Sequence, residues 1–171
     1  MDRSSNLPIN FTDSTTLEDV YQFSECGRIL YRSNSQMLHF EMDDIEKFSQ
    51  CRGVVYVWAL SKLNVPYLEV VYVGSTKSTV FYRSNVWKGA LNEGVKKRRH
   101  STEQETAVPK VASTARRMRK LIDAALSEGG EISVWARASS YGSVFGRSCS
   151  LYKVEEDALI DIFKPTWNGY K

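Results

Sequence analysis

Val54-Val55-Tyr56-Val57-Trp58-Ala59-Leu60 is an unbroken apolar run rich in β-branched and aromatic residues, and Leu68-Glu69-Val70-Val71-Tyr72-Val73 follows it closely. Asn64-Val65-Pro66 supplies turn chemistry between them. The two runs therefore predict a β-hairpin, Val54–Leu60 against Leu68–Val73, ending at Gly74. Ser78 is placed to cap a helix running to about Lys88. In Val111–Ser127, Met118, Leu121, Ile122, Ala125 and Leu126 recur on one helical face, while Arg116, Arg117 and Lys120 lie off it. Gly129-Gly130 ends that helix. Ile132, Val134 and Ala136 then alternate as a third strand, Glu131–Ala138. A last helix runs from about Leu151 to Phe163 and is stopped by Pro165.

The remaining segments carry weaker patterns. Ser14-Thr15 precedes an apolar face of Leu17, Val20 and Tyr21, which predicts a helix over Thr16–Phe23. Ile29–Tyr31 reads as a short strand and Met42–Cys51 as a second helix. Lys88–Pro109 and the Gly/Ser-rich Ser139–Ser148 read as loops. The expected fold class is α/β (α+β): a small, mainly antiparallel three-stranded sheet flanked by helices, with a helical N-terminal extension. Residues 1–52 form that extension, and residues 53–171 form the main domain with a basic insertion at about 88–110.

Composition narrows the function class. The chain of 171 residues has the size of one domain, with or without an extension. No run approaches the ~18 apolar residues of a membrane span, and the polar N-terminus lacks the apolar core of a signal peptide. Cys26, Cys51 and Cys149 match neither a disulfide framework nor a zinc spacing, which points to a cytoplasmic protein with reduced thiols. Charge is the informative quantity. Between Arg83 and Lys120 stand eleven Lys and Arg against three Glu, a balance of +8 in a chain whose total is +3, so the remainder carries −5. Such a basic block is either the footprint of a polyanion binder or a solvated charged face.

The residues that carry chemistry come in a fixed order. Tyr56 and Tyr72 sit one on each hairpin strand, Arg83 lies on the following helix, and the last helix reads Glu156-x-x-Leu159-Ile160-x-x-Phe163-x-Pro165-x-Trp167-Asn168. Phosphodiester hydrolysis needs an activated water, a positioned phosphate, and stabilisation of developing charge and leaving oxygen. An arginine fork suits the phosphate, and a carboxylate suits a hard divalent cation. A tyrosine, with its ordinary pKa of about 10, needs a nearby cation or metal-bound water before it can act as a base. Lys77 is a candidate helper.

This ordered set resembles the GIY-YIG nuclease superfamily over residues 53–171. Val54-Val55-Tyr56 stands for the first motif, its glycine replaced or displaced to Gly53, and Tyr72-Val73-Gly74 for the second. The resemblance implies catalytic roles for Tyr56, Tyr72 and Arg83, a metal-binding role for Glu156, and a terminal-motif role for Asn168. It implies Mg2+ as cofactor, with Mn2+ able to substitute. The expected function is a sequence-specific double-strand DNA endonuclease like the small type II restriction enzymes of that superfamily, acting as a homodimer on DNA. The alternatives are a weakly specific phage or mobile-element nuclease and a non-catalytic nucleic-acid-binding module. Lys96, Lys97, Arg98, Arg99, His100, Arg116, Arg117 and Lys120 are the expected DNA contacts, His100 being also a candidate catalytic histidine. Glu155 competes with Glu156: helical periodicity slightly favours Glu155, and the spacing to Pro165 and Asn168 favours Glu156. Residues 1–52 would serve DNA binding or dimerisation.

Overall fold

The computed structural model of the protein describes residues 10–33, 35–43, 51, 53–98 and 110–169. In chain order these form β1 (Phe11–Thr12), a single π-helical turn counted as α1 (Thr16–Val20), β2 (Ser24–Tyr31), β3 (Leu38–Met42), β4 (Val54–Ser61) and β5 (Leu68–Thr76). There follow α2 (Val80–Arg98), α3 (Lys110–Ser127), β6 (Glu131–Ala138), β7 (Tyr141–Val144), β8 (Arg147–Ser150) and α4 (Tyr152–Phe163).

β4 is the middle of the molecule. Every residue from Val54 to Leu60 is buried, so its sequence is continuously apolar rather than alternating, as befits a strand covered on both faces. The sheet runs β1-β5-β4-β6-β2-β3, with its pairs antiparallel. On one face Val54, Tyr56, Trp58 and Leu60 pack with Val80, Trp87 and Leu91 of α2 and Met118 and Ile122 of α3. On the other, Val55, Val57 and Ala59 pack with Leu17 of α1 and with Leu159 and Phe163 of α4. Two asparagine amides mimic strand pairing, one on the outer strand β3 and one on β5 beyond the reach of the two-residue β1. Asn92 exchanges two 2.8 Å hydrogen bonds with the Leu38 backbone. Asn168 accepts from Val73 N at 2.8 Å and donates to Val73 O at 2.7 Å. Unpaired strand edges invite pairing with other chains, so both amides finish the sheet as well as hold it.

The sheet is thus six-stranded, not three-stranded, and residues 10–43 supply three of its strands instead of a helical extension. The expected strand at Ile29–Tyr31 extends from Ser24 to Tyr31. A register shift between Glu25 and Gly27 leaves Cys26 and Gly27 both buried, which breaks the alternation that would have announced it. Met42 ends a strand rather than starting a helix, and residues 44–50 lie outside the described residues. The helix expected over Thr16–Phe23 is only a turn, capped by Asp13, whose Oδ1 accepts from Thr16 N at 2.6 Å. The helix after β5 is capped by Thr79 Oγ1, not Ser78, and runs on to Arg98 through the expected loop. Its sheet-facing positions include Ser84 and Asn92, so its apolar stripe is interrupted. Ser139–Ser148 is largely a hairpin, not a loop. Among the described residues no helix is long and apolar enough to cross a membrane.

Candidate active site

Tyr56 and Gly74 are ladder partners on β4 and β5, and that pairing sets the geometry of the site. A Cβ on Gly74 would lie 2.6 Å from both Cζ and the hydroxyl oxygen of Tyr56, and 2.9 Å from Cε1 of Tyr72. The phenol of Tyr56 therefore lies across the glycine, in space that any side chain would fill. Arg83 and Trp87, one helical turn apart on α2 and so on the same face, both reach the Tyr56 oxygen. Arg83 Nε donates at 3.3 Å and Trp87 Nε1 at 3.1 Å. The guanidinium carbon also stands 5.3 Å from the centroid of the Trp87 ring, a cation–π distance.

Tyr72 completes an aromatic cluster. Its ring centroid is 4.7 Å from Trp58, 5.9 Å from Trp87 and 6.1 Å from Tyr56. The two tyrosines differ in access: Tyr56 is 2% exposed, whereas Tyr72 and Arg83 are half-buried. Burial pushes the Tyr72 phenol well above its ordinary value, and Tyr56 and Glu156 push the same way against the opposing charge of Arg83. Tyr72 is accordingly a neutral hydroxyl at physiological pH. Burial alone would lower the Arg83 pKa, but the facing phenols of Tyr56 and Tyr72 outweigh it and leave it raised. Arg83 is a fixed cation held by its Nε.

Glu156 approaches the same end of β5 from α4. Its Oε2 accepts from the Ser75 hydroxyl and, at 2.6 Å, from Lys153 Nζ. Glu155 points elsewhere: it meets Arg137 of β6 at 3.3 Å and accepts from Ser140 N at 3.0 Å. The structure thus brings Tyr56, Tyr72 and Arg83 together on the α2 side of the sheet. Glu156 meets Ser75 from the α4 side, near enough to act on the Tyr72 phenol through its charge, and Glu155 stands in a separate polar contact. Lys77 is exposed in the turn after β5, and the lysine touching Glu156 is Lys153. Asn168 spends both ends of its amide on Val73, with Trp167 N donating to Val71 O at 2.8 Å.

Of the expected DNA contacts, Arg116 and Lys120 are exposed on α3. Arg117, also exposed, donates to Trp167 O at 2.8 Å. Arg119 of the same basic stretch is committed to Asp123, Asn92 and the Gln36 carbonyl. Lys96, Lys97 and Arg98 fall in the last turn of α2; Arg99 and His100 lie outside the described residues. Sequence reasoning does not single out Trp87, Ser75 or Lys153. Helical spacing carries a signal for two of them, since Trp87 is four residues after Arg83 and Lys153 three before Glu156.

A bacteriophage T4 EndoII point mutant shares this fold, with a TM-score of 0.58 at 20% identity over 92% of this chain and 100% of that one. Restriction endonuclease HPY188I in complex with product DNA gives a TM-score of 0.44 at 16% identity, covering 94% of this chain and 84% of that one. The chain matches no protein-family model and no curated protein by sequence.

Proposed function

We propose that this protein is a divalent-metal-dependent DNA endonuclease of the GIY-YIG type that hydrolyses phosphodiester bonds in duplex DNA, in the manner of a type II restriction enzyme. The observation that carries the reading is Arg83. A cation is locked by the Tyr56 oxygen beside a half-buried neutral phenol, at the strand end where a carboxylate also arrives. The shared fold with a phage endonuclease supports the same reading.

Roles follow from access. Tyr56 has its oxygen filled by two donors and acts as the post that orients Arg83. With Tyr56 on its Nε and the Tyr72 phenol beside it, the guanidinium presents a planar fork that matches the paired oxygens of a phosphate. Tyr72, neutral and half-buried beside Tyr56 and Arg83, orients the attacking water by accepting a hydrogen bond from it rather than by deprotonating it. In the reaction the water oxygen bonds to phosphorus and gives up a proton to solvent, one phosphorus–oxygen ester bond breaks, and the departing oxygen takes up a proton from solvent in exchange. Magnesium fits the donors present. Glu156 offers hard carboxylate oxygen, and Mg2+ is commonly held by one or two carboxylates plus water and phosphate oxygens. Among the described residues no group of three or more His, Cys, Asp or Glu gathers, so water and substrate would complete its shell. When bound there, the ion would offset charge on the phosphate and on the leaving oxygen.

Each chain carries one such set, so cutting both strands calls for two copies in two-fold symmetry, matching a symmetric DNA site. The test is a supercoiled-plasmid digest with and without magnesium or manganese. Discrete fragments are expected, with metal required. A smear would replace site specificity by weak specificity, and intact DNA that shifts in a gel would make the protein a binding module.

A further inference from the structure

The hairpin β7–β8 has no part in the chemistry above, yet its tip is built against the grain of its own turn. Val144 pairs with Arg147, so Phe145 and Gly146 are the two central residues. Their φ angles are +50° and +74°. Positive φ at both positions is the type I′ geometry whose twist suits a hairpin, and it ordinarily takes Asn, Asp or Gly. Gly146 fits. Phe145 does not, because a Cβ in the left-handed region crowds the neighbouring carbonyl. Nothing in the fold compensates, since Phe145 is 102% exposed. A bulky residue kept in a strained conformation with its ring in solvent points to a role outside folding.

The hairpin stands at the rim of the candidate site. Val54 is paired with Thr76 of β5 on one side and with Ala138 of β6 on the other. The hairpin root after Ala138 is thus two strand spacings, about 10 Å, from the end of β5. Ser139 N donates to Gly53 O at 2.8 Å and Leu151 N to Ser140 O at 2.9 Å, which ties the root to β4 and to the start of α4. With four residues per strand, at ~3.3 Å each, the tip reaches roughly 13 Å beyond that root. Its chemistry suits a polyanion: from Ser139 to Tyr152 the chain has no Asp or Glu. Arg147, Ser143 and Ser148 are exposed around the aromatic tip, as is Tyr141.

We infer that the β7–β8 hairpin is a DNA-contacting finger whose Phe145 ring wedges between base steps of the duplex, while Arg147 and the serines meet the flanking phosphates. Apolar wedges entering from the minor groove unstack a step and kink the duplex, which would present the scissile phosphate to Arg83. The inference rests on the DNA-endonuclease reading.

The test uses the full chain carrying Glu156→Gln, so that DNA is not cut, with closed circular plasmid as the probe. Bound protein that unstacks base steps should change the linking number left after topoisomerase relaxation and deproteinisation. Adding Phe145→Asn should abolish that change and weaken plasmid-fragment binding about tenfold, the order expected when a base–aromatic stack is removed. The thermal midpoint should hold or rise, because Asn is at home in a type I′ turn. Phe145→Trp, which keeps the stacking surface, should retain both effects. If Phe145→Asn binds and unwinds plasmid like its parent while the unmutated protein still cuts it, the finger is refuted and the nuclease reading stands. If the unmutated protein neither cuts nor binds plasmid, the nuclease reading falls and the finger with it.

Discussion

Gly74→Ala isolates the packing on which the site depends. Gly74 has no positive φ among the described glycines, so its backbone would accept alanine, and only space forbids it. The added methyl would sit 2.6 Å from the Tyr56 oxygen and Cζ, against the ~3.5–4.0 Å of a relaxed carbon contact. Tyr56 and Gly74 are opposed in the ladder between two buried strands, so the ring must move by about 1 Å. That shift stretches bonds that already stand at 3.3 Å to Arg83 and 3.1 Å to Trp87. Overpacking costs about 1–3 kcal/mol. Loss of up to two hydrogen bonds adds about 0.5–1.5 kcal/mol each, and removal of a flexible glycine returns about 0.5–1 kcal/mol. With both bonds lost, a net loss of about 1–5 kcal/mol is expected in denaturant unfolding. Turnover should fall more steeply, by roughly 10²-fold, because misplacing a positioning group by 1 Å has that order of effect. Single-turnover plasmid cleavage reads the second quantity. Combining Gly74→Ala with Tyr56→Phe gives a cycle. If both act through the Tyr56 oxygen, their effects on turnover should be far from additive. Additive losses, or a Gly74→Ala protein matching the parent in both assays, would refute the account of Tyr56 as the post for Arg83.

Glu156→Gln is expected to lower metal-dependent cleavage by at least roughly 100-fold, the upper range for disturbing a ligand's supporting shell. Glu155→Gln should instead lower the unfolding midpoint by breaking its ion pair with Arg137, and the reverse result would move the metal role to Glu155. Neutralising Lys96, Lys97, Arg98 and Arg99 together should weaken binding to every DNA sequence and reduce the salt slope by about 0.9 for each phosphate no longer neutralised. An unchanged slope would make the cluster an idle charged face. Because the Tyr72 phenol is held above its ordinary value, chiefly by burial, the unfolded chain loses that proton first as pH rises past about 10. Native stability should therefore fall above that pH by up to about 1.4 kcal/mol per unit, and Tyr72→Phe should flatten the decline.

What can be read from the sequence divides along a physical line. The hairpin β4–β5, α3, β6 and α4 are legible because each has a strong local period and short-range punctuation: Asn64-Val65-Pro66, Gly129-Gly130, Pro165. Tyr56, Tyr72 and Glu156 are legible because they ride on those same elements, and Arg83 because it falls in the first turn of α2, within the part of that helix the sequence announces. The N-terminal half of the sheet is not. β2 owes its place to partners over a hundred residues away, Ser24 to Ala136 and Ile29 to Ile132, and a bulge erases its alternation, while β3 is held in the sheet by β2 alone. Nor can spacing alone separate Glu155 from Glu156. Both side chains are largely buried, at 14% and 13% exposure, and they part company only because Arg137 stands on β6 and Ser75 on β5. The same logic hides the roles of Trp87 and Gly74. Trp87 packs in the core and also holds the Tyr56 oxygen, a double duty that composition cannot show. Gly74 reads in the sequence as the end of a strand, but β5 continues through it to Thr76. Its meaning comes from a ring on the neighbouring strand, and that is a fact of register.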